Sequence, residues 1–410
     1  MRVTPFLPFS PSQTSSCLEL RVGVDVGSHR HAVAVGLSDG RFLEDFEIDH
    51  DQKGFRTLFS RIEAAARVHG CSIAIAMEGY NGHARPLDRQ VLARGWRLFN
   101  VNNLKLARFK EIFPAAAKTD RLDARKALEL FQIGDHLPLA RQVLQEVIAP
   151  PEENEILKRQ SRRRRRLVKE RVAIVNAMQA DIKSICPELL DITGDVQNLW
   201  FLRFLTCRDH ITRLARLRRS SLLKVPGIGV KYAALIEEWQ QLASFSRDAE
   251  WVGPMIQEDA TRIVALNRQI DALTNSLETI AANSAMARHI RSIPGFGPVC
   301  TGELTGEIGT IKRFGSEGGL AFYLGMASLD RSSGKMNGSK PPKHVNKRAK
   351  AAMMTAIDRH RKSVPQSQRY YEKKRAEGKT HNQAVRALGR HLCRVIFKML
   401  RDERDYVVSP

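Results

Sequence analysis

One carboxylate sits inside an otherwise apolar run near the start of the chain. Leu20-Arg21-Val22-Gly23-Val24-Asp25-Val26-Gly27 is rich in β-branched residues and closed by glycine, which predicts a strand. A carboxylate such as Asp25 in a central strand is costly unless it is paired or bound to metal, so the fold must bring a compensating group to it. Three further acids are candidates for the same place. Glu78 ends a second apolar run, Ile73-Ala74-Ile75-Ala76-Met77-Glu78, and Asp120 and Asp123 follow in Lys118-Thr119-Asp120-Arg121-Leu122-Asp123-Ala124. Residues three apart share one helix face, so two strand ends and a helix face can converge on one point. Oxygen-only ligands suit Mg²⁺ or Mn²⁺, and a pair of such ions is a common clamp for cutting phosphodiesters. Each acid alone reads as a surface or capping residue; the set of four points to a metal site.

The order of elements frames these acids. Residues 1–17 are rich in Pro, Ser and Thr and are expected to form a disordered tail. Residues 18–150 read as strands Leu20–Val26, His31–Leu37 and Arg41–Ile48, a helix Phe55–Val68, a strand Ile73–Glu78, a helix Leu87–Ala93, a strand Trp96–Val101 and a helix Asp120–Ile133. Three strands joined by tight turns, then strand–helix units, is the order of a ribonuclease-H-like α/β sheet. Pro150-Pro151 marks a boundary. Residues 151–290 read as a long helical section that packs on itself or on a second subunit as a coiled coil, with helices over Glu153–Ile192, interrupted near Pro187, and over Asp259–Ala285. Residues 291–410 read as mostly α, with a loop from Ser332-Ser333-Gly334 to His344 and helices Asn346–Arg361 and Thr380–Arg401.

Charge narrows the partners. Lys and Arg number 66 against 44 acids, a net +22, which argues for a polyanion, most simply nucleic acid; a basic membrane-surface protein is the competing reading. No stretch approaches the ~20 apolar residues of a membrane-spanning helix. The cysteines are dispersed, with no C-x-x-C pair, so zinc is not expected and a reduced cytoplasmic chain is the default. Arg162, Arg163, Arg164, Arg165 and Arg166 are consecutive. They read either as a solvated helix surface or, as their density favours, as phosphate contacts. A second basic cluster comprises Lys335, Lys340, Lys343, Lys347, Arg348 and Lys350. Two turns, Val225-Pro226-Gly227-Ile228-Gly229 and Ile293-Pro294-Gly295-Phe296-Gly297, precede helical sequence. A P-G-x-G turn opening a helix can present N–H groups to a phosphate or can simply connect helices; the phosphate reading is preferred for Gly295 and Gly297.

These motifs together resemble a known family. Val24-Asp25-Val26, Met77-Glu78 and Lys118–Ala124 resemble the RuvC-like metal domain of the DEDD transposases of bridge-RNA-guided insertion sequences. Arg159–Arg171 is similar to the start of that family's helical linker. Ile293–Pro298, Glu307–Phe314 and Tyr323-Leu324-Gly325-Met326 followed by Ser333-Gly334 resemble its C-terminal transposase domain. The resemblance implies a DNA recombinase that cuts and rejoins strands, with Asp25, Glu78, Asp120 and Asp123 holding Mg²⁺ or Mn²⁺. It implies a serine nucleophile, Ser333 or the adjacent Ser332, together with a guide RNA and a homo-oligomer, a dimer assembling to a tetramer on DNA. A cytoplasmic, nucleoid-associated location follows. The sequence departs from the family at Pro341-Pro342-Lys343-His344-Val345-Asn346, where the expected Gly-Asn step retains only Asn346. Two other readings share some of these features: a Holliday-junction-resolvase-like endonuclease that needs no serine, and a non-catalytic nucleic-acid-binding protein.

Overall fold

The computed structural model describes residues 18–78, 82–101, 120–136, 144–333, 336–340, 342 and 345–407. The expected N-terminal tail lies outside them. The chain divides between Ala149 and Pro150 into two compact units, at the Pro150-Pro151 step.

The first unit is built on strands β1 (Glu19–Val26), β2 (Arg30–Leu37) and β3 (Phe42–Asp49), helix α1 (Gln52–His69), β4 (Ser72–Glu78), α2 (Arg85–Ala93), β5 (Arg97–Val101), α3 (Asp120–His136) and β6 (Leu144–Glu146). They form one sheet in the order β3-β2-β1-β4-β5-β6. β1, β2 and β3 pair antiparallel; β1, β4 and β5 pair parallel; β6 returns antiparallel on β5. The edge strand β6 had no counterpart in the sequence reading, because three residues are too few to show alternation.

The two faces of the sheet differ in side-chain size. Leu20, Val22 and Val24 of β1, with Val33, Val35, Leu37, Ile75 and Met77, pack with Phe55, Leu58 and Ile62 of α1. The opposite face carries Ala32, Ala34, Ala74 and Ala76, which meet Ala124, Ala127, Leu128, Leu130 and Phe131 of α3. Alternation along each strand produces this sorting, and the small residues let α3 lie close against the strands.

The second unit contains α4 (Glu152–Ile185), a 3₁₀ turn Pro187–Leu190, α5 (Leu199–Leu205), a 3₁₀ turn Ile211–Arg216, α6 (Arg219–Leu222), α7 (Val230–Leu242), α8 (Ala249–Asn283), α9 (Ala285–Arg291) and α10 (Pro298–Ile308). A 3₁₀ turn Ile311–Arg313, α11 (Glu317–Tyr323), β7 (Leu329–Ser333), β8 (Met336–Lys340), α12 (Lys347–Ser363), α13 (Pro365–Ala376) and α14 (His381–Arg401) follow. α4 and α8 run antiparallel: Leu167 packs with Leu266 and Ile270, and Arg171 Nη1 donates to Asn267 Oδ1 at 2.7 Å. One apolar core gathers the far ends of these helices with α5 and α7, and another gathers α10, α11, α12 and α14. The middle and C-terminal sections, read from sequence as separate domains, therefore share one compact unit. No described helix is long and apolar enough to cross a membrane.

Two local expectations change. α8 starts at Ala249 rather than Asp259 and carries Pro254 inside it. Packing holds this early turn, for a Cβ on Gly253 would stand 2.8 Å from Ile211 Cγ2, so tertiary contact offsets the loss of one helical N–H. The stretch read as a loop after Ser332 is instead a ribbon, with Ser333 paired to Met336 and Leu329 to Lys340. The spacer Gly334-Lys335, two residues beginning with glycine, is a composition that two-residue hairpin connections favour.

His31 of β2 is fully buried against Phe55, and its Nε2 lies 2.8 Å from His50 Nδ1. Burial, and secondarily the neighbouring His50, pulls its pKa from 6.5 down to about 4. The unfolded chain thus binds this proton more tightly than the fold. The stabilisation is complete above pH 6.5 and is lost as pH falls from there to about 4. In urea titrations of the full chain, read by hydrogen exchange in β1–β2 peptides, His31→Gln is expected to flatten the pH dependence in that window by up to about 1.4 kcal/mol per pH unit. An unchanged slope would remove His31 from the acid sensitivity of the sheet.

Candidate functional site

Asp25 lies next to the end of β1, on the face that α3 covers. Gly23, two residues earlier on that face, is the point of closest approach. A Cβ there would stand 2.8 Å from Leu128 N and 3.2 Å from Ala127 Cβ, and closer still to the Ala124 carbonyl oxygen. Two residues earlier again, the Arg21 guanidinium sits 5.3 Å from the centroid of Phe131. As β1 advances from Arg21 through Gly23, α3 runs back from Phe131 to Ala124. Its first turn, with Asp120 and Asp123, therefore lies toward the Asp25 end of the strand. In β4 the register pairs Met77 with Val24, so Glu78 takes the next level, beside Asp25.

Asp123 is buried at 8 % exposure, with Lys126 Nζ 3.8 Å from its Oδ1, and Asp25 is half-buried. The side chains of Glu78, Asp120, Ser332 and Ser333 lie outside the described residues, and these four are placed by backbone alone. Among the described residues no three His, Cys, Asp or Glu side chains gather as a metal-binding group. The two described carboxylates, hard oxygen donors in partly dry positions, fit Mg²⁺ or Mn²⁺.

The five arginines divide by helix face. Arg162 donates from Nε and Nη2 to both oxygens of Glu307 at 2.7 and 2.9 Å. Arg165 does the same to Glu303 at 3.1 and 2.5 Å. Arg164 Nε donates to Thr274 Oγ1 at 2.8 Å. Arg163 and Arg166 are exposed. The reading of all five as phosphate ligands is thus narrowed, since Arg162 and Arg165 neutralise two buried glutamates of α10. Burial by itself would raise the Glu307 carboxyl; hydrogen bonds from Arg162 and Asn346 overcome this and hold it below the usual carboxylate range.

Glu307 also ties down the approach to the serine region. Asn346 Nδ2 donates to Glu307 Oε2 and to the Tyr323 hydroxyl, both at 2.7 Å, while that hydroxyl donates to the Glu307 carbonyl at 2.7 Å. Asn346 Oδ1 caps α12 by accepting from Arg348 and Ala349. Lys347 and Arg348 are exposed on that first turn. Ser333 ends β7; Lys335 and Lys343 lie outside the described residues.

Known proteins resemble this sequence. A family model described as "Transposase", of the DEDD IS110 type, matches residues 22–187. A second, "Transposase IS116/IS110/IS902 family", matches residues 287–372. The chain belongs to the IS110/IS116 family of DEDD transposases. All four acids and the five arginines fall in the first match; Ser333 and Asn346 fall in the second. The transposase is 27% identical over 399 residues to the "Insertion element IS116 uncharacterized 44.8 kDa protein" of Streptomyces clavuligerus, covering 95% of this chain and 96% of that one. It is 26% identical to the "Insertion element IS900 uncharacterized 42 kDa protein" of Mycobacterium paratuberculosis, covering 94% and 96%. It is 25% identical to the "Mini-circle putative transposase for IS117" of Streptomyces coelicolor, covering 89% and 90%.

In the transposase, the two glycines of the second P-G-x-G turn have different roles. Gly295 has φ +86°, and a Cβ there would stand 2.7 Å from His360 Cα, so packing against α12 accounts for it without a ligand. Gly297 precedes α10, and its missing Cβ faces Arg359 Nη1 at 3.5 Å and Arg291 Nη1 at 3.9 Å; the phosphate reading rests on this second glycine.

Sequence reasoning missed Gly23, although a glycine inside a strand is a known signal of close backbone approach. It also missed Glu303 and Glu307, whose spacing of four on an apolar helix matches Arg162 and Arg165 at three.

The divided arginines separate two effects. Arg162→Gln is expected to cost about 3 kcal/mol in stability, the low end for a broken buried pair because Arg162 keeps partial solvent access. Arg163→Gln with Arg166→Gln should leave the melting temperature within a degree or two while weakening nucleic-acid binding and its salt dependence. Melting curves and binding titrations on both variants decide this; equal melting losses in both would refute the division. Gly23→Val should separate α3 from β1, lowering stability by about 1–3 kcal/mol and abolishing DNA cleavage. Full cleavage by a folded Gly23→Val protein would show that the α3 contact does not align the acids.

Proposed function

We propose that this transposase cuts and rejoins DNA through a carboxylate-held Mg²⁺ or Mn²⁺ site and a serine nucleophile, guided by a structured RNA. The observation that carries the reading is the seat of α3 on Gly23, which directs Asp25, Asp120 and Asp123 toward one end of the sheet, with Glu78 in the adjacent strand. These four would hold the metal, which when bound supplies positive charge at the scissile phosphate.

Ser333 is the proposed nucleophile. Its Oγ attacks the phosphorus; an Oγ–P bond forms and the bond from phosphorus to the leaving sugar oxygen breaks. The serine proton passes to solvent or a base, and the leaving oxygen takes one up. The phosphoserine link conserves the broken strand's energy for rejoining, and a serine hydroxyl needs such activation at neutral pH. The Asn346–Glu307–Tyr323 bonds fix the return of the chain into α12 and so position the basic residues Lys347 and Arg348 after the serine ribbon. The net charge of +22 suits both DNA and a guide RNA.

Asp25 and Ser333 belong to different compact units. The reading includes a composite site, in which the carboxylates of one protomer act with Ser333 of another in a dimer that assembles to a tetramer on DNA. Cutting then depends on correct assembly. A cytoplasmic, nucleoid-associated location follows from the substrate.

Covalent trapping tests the chemistry. Wild-type protein with donor and target DNA, its guide and Mg²⁺ should give a denaturation-resistant adduct. Ser333→Ala and Asp25→Asn should each give none. An equimolar mixture of the two variants should restore part of the adduct through the composite site. An adduct from Ser333→Ala but not from Ser332→Ala moves the nucleophile by one residue. Metal-dependent cleavage without any adduct would instead favour the resolvase-like reading.

A further inference from the structure

The α5–α6 end of the second unit carries a basic cavity that the carboxylate and serine chemistry does not use. It has a volume of about 440 Å³ and is lined among others by Arg203, Thr206, Arg208, Ser221, Lys224 and Pro226, with no carboxylate. A second cavity of about 570 Å³ shares Thr206 and Arg208 and is lined on its far side by Glu258, Thr261 and Arg262. The two cavities adjoin at Thr206 and Arg208, and the first of them forms a basic trough.

Its positive charge is poorly compensated. The only acid among residues 203–231 is Asp209, and it is bound to Arg213 at 2.7 Å. Arg219 is matched by Glu237 and Arg262 by Glu170. Arg203 Nη1 donates to the Pro226 carbonyl at 3.1 Å and Arg208 Nη1 to the Cys207 carbonyl at 3.4 Å. Both guanidiniums are therefore steadied by neutral carbonyls rather than by carboxylates. Lys224 is exposed and makes no ion pair among the described residues. Three such cations around one open cavity, with two hydroxyls beside them, form a receptor for a phosphate oxygen surface.

The adjoining turn adds to the case. Val225-Pro226-Gly227-Ile228-Gly229 repeats the geometry of the second P-G-x-G turn. Gly227 has φ +96° as Gly295 has φ +86°, and Gly229 precedes α7 as Gly297 precedes α10. In both copies cations stand at the mouth of the turn. An open cavity whose ionic groups are all cations, as in the first of the two, suits the repeating phosphates of a phosphodiester.

The geometry points to a sequence-independent grip, at Arg203, Arg208 and Lys224, for the phosphodiester backbone of nucleic acid. It is a site apart from the Arg163–Arg166 face and from the ribbon after Ser333. It requires only that the protein bind nucleic acid, and so stands or falls independently of the serine mechanism.

The test uses the full chain with two labelled probes, a random-sequence DNA duplex and an unrelated RNA hairpin, titrated at several NaCl concentrations. Arg208→Gln with Lys224→Gln is compared with Arg247→Gln with Arg268→Gln, an equal charge change at exposed positions elsewhere in the unit. The trough variant should lose about tenfold in affinity at low salt and reduce the log–log salt slope by roughly 1–2, as expected for one or two lost phosphate contacts. Loss on DNA alone or on RNA alone supports the grip and names its source. Slopes and affinities equal to the control pair on both probes would overturn it. Lysine acetylation footprinting of the wild-type protein keeps the test independent of how the variant folds. Lys224 should be protected by the probe the grip takes, and equal labelling with and without either probe also overturns the proposal.

Discussion

The approach of helix α3 to strand β1 at Gly23 is the contact on which the first unit's organisation depends. Any side chain at this position would overlap the α3 backbone at Ala124 and Leu128. The alanines at positions 32, 34, 74 and 76 extend the same low surface across three strands. Dispersion attraction falls steeply with separation, so a helix seated this closely is held in one register. Register matters because Asp120 and Asp123 sit at the start of that helix. A shift by one residue would turn Asp123 away from the strand end that carries Asp25. The bulky face of the sheet, against α1, supplies the apolar burial, while the small face supplies placement.

In the second unit the corresponding constraint is electrostatic. Two arginines of α4 reach two glutamates buried in α10, and Asn346 and Tyr323 complete the bonding of Glu307. A buried carboxylate is tolerated only when paired and hydrogen-bonded, and here the partners of Glu307 come from α4, α11 and the start of α12. The network therefore fixes α4, α10, α11 and the start of α12 relative to one another. Gly306 allows the approach, since a Cβ there would stand 2.6 Å from Lys158 Cα. Close backbone packing and paired charge act at the same junction.

The strong positive charge of the chain is thus not one undifferentiated surface. Part of it is internal and structural, as at Arg162 and Arg165. Part is exposed on the same helix, as at Arg163 and Arg166. A further part lines the trough at Arg203, Arg208 and Lys224. A family that handles long polyanions needs cations in several places, and the fold uses acids on some of them to keep its helices together.

Local pattern made much of this readable from the residues alone. Alternation along β1, β2 and β3, the apolar run of β4, and the periodicity of α1 and α3 identify a mixed α/β sheet, because strand and helix periods are local properties. A carboxylate within an apolar strand drew attention to Asp25 because its cost is local as well. The ribbon at Ser333, the start of α8 and the edge strand β6 were not readable, since pairing and packing there outweigh local signals. The partners of the arginines were hidden for the same reason: Glu307 lies 145 residues from Arg162, and Glu303 lies 138 from Arg165. Residue spacing determined which acids could share a helix face or a strand end. Only tertiary structure decided which arginines are spent on buried glutamates and which still face solvent, because a charge acquires its role from what stands a few ångströms away in space.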